Sequence, residues 1–279
     1  MTAPPIEKDR AGAMADDRGV ARGTRPVGAR DEREAGSRVR EMFGRIAPRY
    51  DFLNHFLSLS LDRVWRRRTA KRFAHILGRS DARVLDLCCG TGDLAFALER
   101  EASRGGGGRG AAAGVASARI LGSDFALPML TRAVEKAAAV DSSARFLASD
   151  ALALPFGDAK FDLITAAFGF RNLANYQRGL GEIWRVLRPG GEVGILEFSD
   201  PRAGIGAAGF RFYFKHILPR VGGAISGNRE AYAYLPSSVT KFPPPEELAG
   251  WMRDAGFEEV RFELWNFGSV ALHVGRKAS

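Results

Sequence analysis

The sequence predicts an α/β chain: a doubly wound, mostly parallel sheet of seven strands, with helices ahead of it and an antiparallel hairpin at its C-terminal end. Three observations carry that prediction. From residue 83 onward, short apolar runs of strand character alternate with segments of helical period, the βαβ rhythm that puts helices on both faces of a parallel sheet. Gly90 and Gly92 stand where the first of these strands opens into a helix. Two strand patterns joined by a short turn at 266–269 close the series.

Residues 1–36 are rich in Ala, Gly, Arg and Asp with almost no large apolar side chain, so they cannot repay their ordering entropy and a disordered tail is expected. Residues 37–279 are expected to form a single domain, beginning with a basic helical cap over 37–79. There Leu61, Val64, Trp65, Phe73, Ile76 and Leu77 mark one apolar helical stripe, Arg63, Arg66, Arg67, Lys71 and Arg72 its exposed opposite face, and Gly78 its stop. Strands are expected at 83–87, 119–125, 144–148, 161–167 and 192–198, with helices at 92–101, at 128–139, opened by Pro128, and at 176–187. A helix at 245–255 and strands at 259–265 and 270–274 follow. The stretch 103–117, including Gly105 to Gly108, is a low-complexity insertion that reads as a flexible loop.

The chain of 279 residues carries a formal net charge of +9. Residues 37–79 hold eleven Lys/Arg against three Asp/Glu, whereas residues 1–36 balance seven against seven. A basic patch of that kind suits nucleic acid, anionic lipid or plain solvent. No run reaches the ~20 apolar residues of a membrane span, and the N-terminus lacks the apolar core of a secretion signal, so a cytoplasmic location is expected. Cys88 and Cys89, the two cysteines, are adjacent. They exclude a disulfide scaffold and a four-cysteine zinc site, read as small strand residues, and no metal is expected.

The segment from Val84 to Asp93, VLDLCCGTGD, lets the backbone come close to a ligand at its glycines while the following helix offers unsatisfied N–H groups. Gly90 to Ala95 also fits the loose G-x-G-x-x-A dinucleotide pattern, so this element alone leaves an NAD-dependent oxidoreductase open. Three acids narrow the choice. Asp86 lies inside the first strand, four residues before Gly90, and suits the sulfonium and α-amino groups of a cationic nucleotide. Asp124 ends the second strand, where a carboxylate accepts both ribose hydroxyls. Asp150 ends the third, within reach of an adenine amino group, and the run SDALALPF from Ser149 to Phe156 resembles the adenine segment of class I methyltransferases. With the terminal hairpin, these positions fit the class I, Rossmann-like S-adenosylmethionine fold. Thr91 there either meets the ligand or caps the helix.

Two longer runs resemble the ubiquinone/menaquinone biosynthesis C-methyltransferase family. One is Tyr50-Asp-Phe-Leu-Asn54, continuing through Leu57-Ser58 to Trp65, with Leu53 where that family has methionine and Asp62 where it has histidine. The other is Arg185 to Ser199, RVLRPGGEVGILEFS, with Arg188 in place of lysine. Phe168-Gly-Phe-Arg-Asn172, Leu218-Pro219 and Ala231 to Pro236 are also similar, so the likeness spans 39–277 with the Gly/Ala insertion as its main departure.

This resemblance implies that S-adenosylmethionine meets Thr91, Asp124, Asp150 and Ala151, with Ala167 at the edge of the site. Arg171 and Asn172 would face the acceptor at the carboxyl end of the fourth strand, and Tyr50, Asp51 and Asn54 would lie on the same side. The reaction implied is methyl transfer to a ring carbon of a reduced polyprenyl quinone. Demethylmenaquinol is favoured because Leu-Cys-Cys-Gly-Thr-Gly-Asp looks like menaquinone-pathway members; the alternative is the 2-methoxy-6-polyprenyl-benzoquinol of ubiquinone synthesis. Deprotonation of a phenol of pKa ~10 activates the ring carbon. Arg171 could lower that pKa and Asn172 orient the hydroxyl, with Tyr50, Asp51 and His216 as further proton handlers and no single base named. The enzyme would make transient peripheral contact with the inner face of the membrane, and a homodimer is left open. Nucleic acid is not the expected partner, since the fourth strand ends in Ala-Ala-Phe-Gly-Phe without an Asn-Pro-Pro-Tyr-like clamp or a nucleophilic cysteine.

Overall fold

The computed structural model describes residues 23–26, 28–105, 118–201, 209, 213, 234 and 237–279. Strands β1 (Arg83–Leu87), β2 (Arg119–Asp124), β3 (Arg145–Ala148), β4 (Phe161–Ala167), β5 (Leu187–Phe198), β6 (Phe257–Trp265) and β7 (Val270–Lys277) form one sheet. Its order is β3-β2-β1-β4-β5-β7-β6. The first five strands pair in parallel, and β7 runs antiparallel to both β5 and β6. The expected doubly wound sheet with a C-terminal hairpin is therefore present, and its strand order reverses between β1 and β4.

Strand side chains alternate between two cores, as the period of two requires. Val84, Leu163 and Leu196 join one core while their neighbours Leu85, Ile164 and Ile195 join the other. Helices α1 (Glu32–Ile46), α2 (Tyr50–Leu57), α3 (Leu61–Arg72), α4 (Ala74–Leu77), α5 (Asp93–Gly105), α6 (Leu127–Ala139), α7 (Tyr176–Val186) and α8 (Pro245–Asp254) surround the sheet. Trp65, Phe73, Leu77, Leu94 and Leu98 cover the first face; Leu180, Ile183, Leu248 and Met252 cover the second. Full burial of side chains of this size is worth ~1.5 to 3 kcal/mol each. Two helix starts show their local causes: Pro128 opens α6, and Asn175 caps α7 by accepting the Arg178 N–H at 3.0 Å.

Several expectations need correction. The helical region begins at Glu32, not Ser37, because Asp31 caps α1 by accepting the Glu34 N–H at 2.8 Å. Residues 1–22 of the expected tail and 106–117 of the expected loop lie outside the described residues, while 103–105 complete α5. The single stripe over 61–77 is two helices broken at Phe73, and Val64, assigned to the stripe, is 58% exposed. Arg66, assigned to the exposed basic face, is 7% exposed, since Asp62 and Asp93 draw it inward. Cys88 and Cys89 follow β1 in a turn rather than lying on the strand. Strand β5 extends back through Arg188-Pro-Gly-Gly to Leu187, with an irregular register against Phe161 and Leu163.

Candidate active site

The carboxyl ends of β1, β2 and β4, with the loop after β3, open onto a cavity of about 720 Å³, within the ~300 to 1,000 Å³ usual for ligand sites. It sits where the strand order reverses, the place at which open α/β sheets bind ligands. Cys88 and Gly90 form part of its wall, both in left-handed backbone at φ 54° and 55°. The loop after β4 closes against them. A Cβ at Gly169 would stand 2.4 Å from the Cys88 Cβ, so only glycine lets these two chain segments meet.

Asp124, at the end of β2, is held in place by the turn it faces. Its Oδ2 accepts the Gly90 N–H and its Oδ1 the Ala126 N–H, each at 2.9 Å. Burial lifts its pKa above the ordinary carboxylate value, and those N–H groups pull the other way. Each oxygen keeps a further lone pair, and the carboxylate lines the cavity. Asp150 is exposed, accepts the Leu152 N–H at 2.9 Å and lines the same wall beside Ala151. Sequence reasoning thus has Asp124, Asp150, Ala151 and Gly90 brought together.

Asp86, Thr91 and Ala167 lie apart from that wall, in a small adjoining pocket that shares Tyr50, Cys88 and Gly90 with the main cavity. Asp86 is 1% exposed; its Oδ1 accepts the Thr165 hydroxyl at 3.0 Å, while its Oδ2 has no partner among the described residues. Burial pushes its pKa up to about 7. A buried carboxylate oxygen without a donor calls for one, and an amino group reaching this pocket would answer it. Gly92 lines neither space; its φ of 86° serves the turn, and a Cβ would meet Phe96 and Phe146 at 3.0 Å.

Thr91 is occupied by the protein itself. Its hydroxyl donates to Asp51 and accepts from Lys136 Nζ at 3.2 Å, and Lys136 also reaches Asp51 at 2.8 Å and Asp93 at 2.5 Å. This network ties α2 and α6 to the start of α5. Beside it Arg66 pairs with Asp62 and lies 3.8 Å from Asp93, while His55 Nδ1 is 2.8 Å from Asp62. Burial works against the Arg66 charge, yet Asp93 and Asp62 hold its pKa above the usual value. His55, Asp62 and Asp93 converge closely enough to hold a metal, but Arg66 and Lys136 already neutralise these carboxylates.

Tyr50, Phe168 and Asn172 line the main cavity, the Tyr50 ring 3.8 Å from where a Cβ on Gly90 would stand. Burial raises the Tyr50 pKa, against the opposing pull of Arg171 and Arg66 and a hydrogen bond with Asn54, so the phenol keeps its proton. Asn54 itself supports Tyr50 rather than lining the cavity, and Asp51 turns away toward Thr91 and Lys136. Asn172 Oδ1 accepts the Tyr234 hydroxyl at 3.0 Å. Arg171 does not line the cavity. It is 4% exposed, its Nη1 lies 2.6 Å from Glu197 Oε1, and its backbone N–H donates to Glu197 Oε2 at 3.1 Å. Its Nε has no partner among the described residues. His216 lies outside the described residues.

Several wall residues escape sequence reasoning. Arg33, Arg40 and Phe43 of α1 line the cavity, with Arg40 set 5.4 Å over the Phe125 ring. The signal was present: Asp31 followed by Glu34 is a capping pattern. Arg66 lines the smaller pocket, and Glu197 sits in the second familiar run, but nothing in periodicity marks either as part of the site.

Comparison with known proteins places these features in context. The family model for the ubiE/COQ5 methyltransferase family matches residues 30–277. The chain is 49% identical over 252 residues to a demethylmenaquinone methyltransferase of Deinococcus radiodurans, covering 90% of this chain and 97% of that protein. It is also 49% identical over 234 residues to the one of Thermus thermophilus, covering 84% and 99%. A ubiquinone/menaquinone biosynthesis C-methyltransferase UbiE of Geobacter sulfurreducens is 40% identical over 246 residues, covering 88% and 90%. Among solved structures, the [4+2]-cyclase SpnF is similar in fold, at a TM-score of 0.59 and 18% identity over 92% of this chain and 98% of that one. A methyltransferase from Thermotoga maritima aligns at a TM-score of 0.52 and 17% identity, over 85% and 99%.

Proposed function

Because the chain belongs to the ubiE/COQ5 methyltransferase family, we propose that its cavity brings S-adenosylmethionine, along the Asp124 and Asp150 wall, against a reduced polyprenyl naphthoquinone beside Tyr50 and Asn172. The chain is an S-adenosylmethionine-dependent methyltransferase, which sets aside the oxidoreductase alternative. The observation that supports this acceptor site is one cavity lined both by the two acids and by Tyr50 and Asn172. Demethylmenaquinol is the favoured acceptor, in keeping with the names of the two relatives at 49% identity.

The bound cofactor supplies an activated methyl group on a sulfonium. In our reading Asp124 would accept the ribose hydroxyls, Asp150 and Ala151 would hold the adenine edge, and the wall at Tyr50, Cys88 and Gly90, onto which the smaller pocket adjoins, would take the amino-acid end. There Asp86 faces the cationic amino group and Arg66 the carboxylate. Asn172 orients a quinol hydroxyl. Arg171 is a positioning residue: fixed by Glu197 behind Asn172, its charge favours the phenolate that makes the ring carbon nucleophilic. Bound there, the cofactor would give its methyl to the ring carbon, its carbon–sulfur bond breaking to leave a neutral thioether, and water would carry the ring proton to the quinol oxygen as aromaticity returns. Tyr50, held protonated, donates to an oxygen rather than accepting that proton. Alignment in a closed site supplies much of the acceleration, ~7 to 11 kcal/mol in favourable cases.

A prenyl tail gains ~0.8 kcal/mol per buried CH₂, so the acceptor stays in the bilayer and the enzyme meets it there as a peripheral protein. Among the described residues, no helix is long and apolar enough to cross a membrane. Purified enzyme given methyl-labelled S-adenosylmethionine should add one methyl to reduced short-tailed demethylnaphthoquinol. It should leave the oxidised quinone unchanged and label the benzoquinol counterpart more slowly. Transfer to neither quinol would refute the reading.

A further inference from the structure

We propose that the corner between α2 and α3 is the surface by which this protein docks on an anionic lipid bilayer. Large apolar side chains crowd it. Phe52 is 60% exposed, Phe56 50%, Leu59 80% and Val64 58%, and Leu61 beside them is also exposed. The turn at its apex puts Leu59 and Ser60 in left-handed backbone at φ 52° and 60°, a conformation that side-chain-bearing residues disfavour. Such a cluster costs solubility unless something covers it.

The charge beside it indicates what does. Arg63, Arg67 and Lys71 are exposed and spaced four apart along α3, so they form one basic stripe continuing from the apolar corner. Aromatic and aliphatic side chains flanked by Lys and Arg are the pattern of an interfacial helix, whose apolar side enters the headgroup boundary while the cations meet anionic lipid. Protein interfaces instead deplete lysine at their centre. Single-stranded nucleic acid would need open ring faces for its bases, and the Phe52 and Phe56 rings are stacked on each other at 5.9 Å and 13°.

The same short helix faces the active site on its other side. Tyr50 lines the cavity, and Asp51 is bound to Thr91 and Lys136. Docking through Phe52 and Phe56 therefore sets the Tyr50 side of the cavity toward the lipid that holds the acceptor. The inference rests on the proposed quinol for its purpose, while its observables are independent of it.

The test is flotation with quinone-free vesicles of mixed phosphatidylglycerol and phosphatidylcholine, compared with phosphatidylcholine alone. The proteins are the wild type, Phe52→Ser with Phe56→Ser, and Arg63→Glu with Arg67→Glu and Lys71→Glu, each checked for folding by melting temperature and S-adenosylmethionine binding. Arg66 is left unchanged because it is buried. Val134→Ser with Val140→Ser, at exposed positions on and just after α6, is the control. Wild type and control should float with the anionic vesicles only. Both sets of corner substitutions should weaken binding by about tenfold or more, and ~0.5 M salt should do the same to the wild type by screening. Wild-type binding to neither vesicle, or corner variants that bind as the wild type does, would overturn the proposal. So would a loss of self-association in the Phe52 and Phe56 variant with vesicle binding intact, which would make the corner a contact between copies of this chain. If a variant fails to fold, the wild-type lipid and salt dependence decides. Turnover of a soluble short-tailed quinol reports on the acceptor separately: its absence alongside intact flotation would refute the acceptor and leave the docking surface standing.

Discussion

Asp51 on α2 and Lys136 on α6 form a 2.8 Å ion pair that meets the Thr91 hydroxyl, so the helix beneath the apolar corner is fastened to the turn that opens the cofactor pocket. Removing Asp51 leaves Lys136 with Asp93 but frees α2. Asp51→Ala should therefore lower S-adenosylmethionine affinity about tenfold or more, the size of ~1.5 to 3 kcal/mol for a charged hydrogen bond, with the melting temperature little changed. Calorimetric titration reads the first quantity and thermal unfolding the second; unchanged affinity would show that the fastening does not reach the cofactor.

Asp86 gives a pH dependence whose sign can be worked out. Burial raises its pKa to about 7 in the folded chain, against ~3.9 in the unfolded chain. Between pH ~4 and ~7 the folded state holds a proton that the unfolded state has released, so this group's contribution to stability falls as pH rises across that window and is level outside it. Asp86→Asn should remove that component and make the ligand-free protein relatively more stable above pH 7. Because the anion is the form that answers a cationic group, wild-type affinity for S-adenosylmethionine should increase from pH 6 to pH 8, and the Asn variant should lose the increase. Affinity that is flat with pH in the wild type would refute the assignment of Asp86 to the cofactor's cation.

Asp124 holds two backbone N–H groups as well as facing the cavity. Asp124→Ala should reduce cofactor affinity more than tenfold, and it should also cost stability, since each unsatisfied buried N–H is worth ~1 to 3 kcal/mol. The expected result is a folded protein with a lower melting temperature and little measurable binding. Retention of wild-type binding would remove Asp124 from the cofactor site.

Arg171 and Glu197 separate positioning from binding. Breaking a buried pair by removing one partner costs ~3 to 5 kcal/mol, so Arg171→Met and Glu197→Gln should each destabilise the protein. Neither touches the cofactor wall. In variants that fold, kcat should drop sharply while S-adenosylmethionine affinity holds, and raising the pH should restore part of the Arg171→Met rate by supplying phenolate directly. A rate loss independent of pH would indicate a packing role alone.

The sheet was legible because its signals are local: each strand is a short apolar run and each helix has its own period. Asp124 and Asp150 were legible because a residue at the end of a parallel strand has one place to go. Arg66 was not. Helical spacing put it on the polar face of α3, whereas Asp62 one turn earlier and Asp93, brought within 3.8 Å by the approach of α5, together make an inward arginine favourable. Arg171 shows the same limit, since it lies in the turn after β4 while its partner Glu197 lies on β5 and turns it from a cavity residue into a buried support. The start of α1 was missed for a different reason: composition argued for disorder, while the Asp31 cap and the Glu34 pairs with Arg30 and Arg38 supply the local order.

The placement of β7 between β5 and β6 governs the order in which the molecule can be completed. Strands β1 to β5 find their parallel partners within the chain that precedes β6, whereas β6 bonds to the sheet only through β7, which is made after it. Until β7 arrives, the open edge of β5 is exposed to any other strand in the vicinity. A lesion in β7 therefore detaches two strands instead of one.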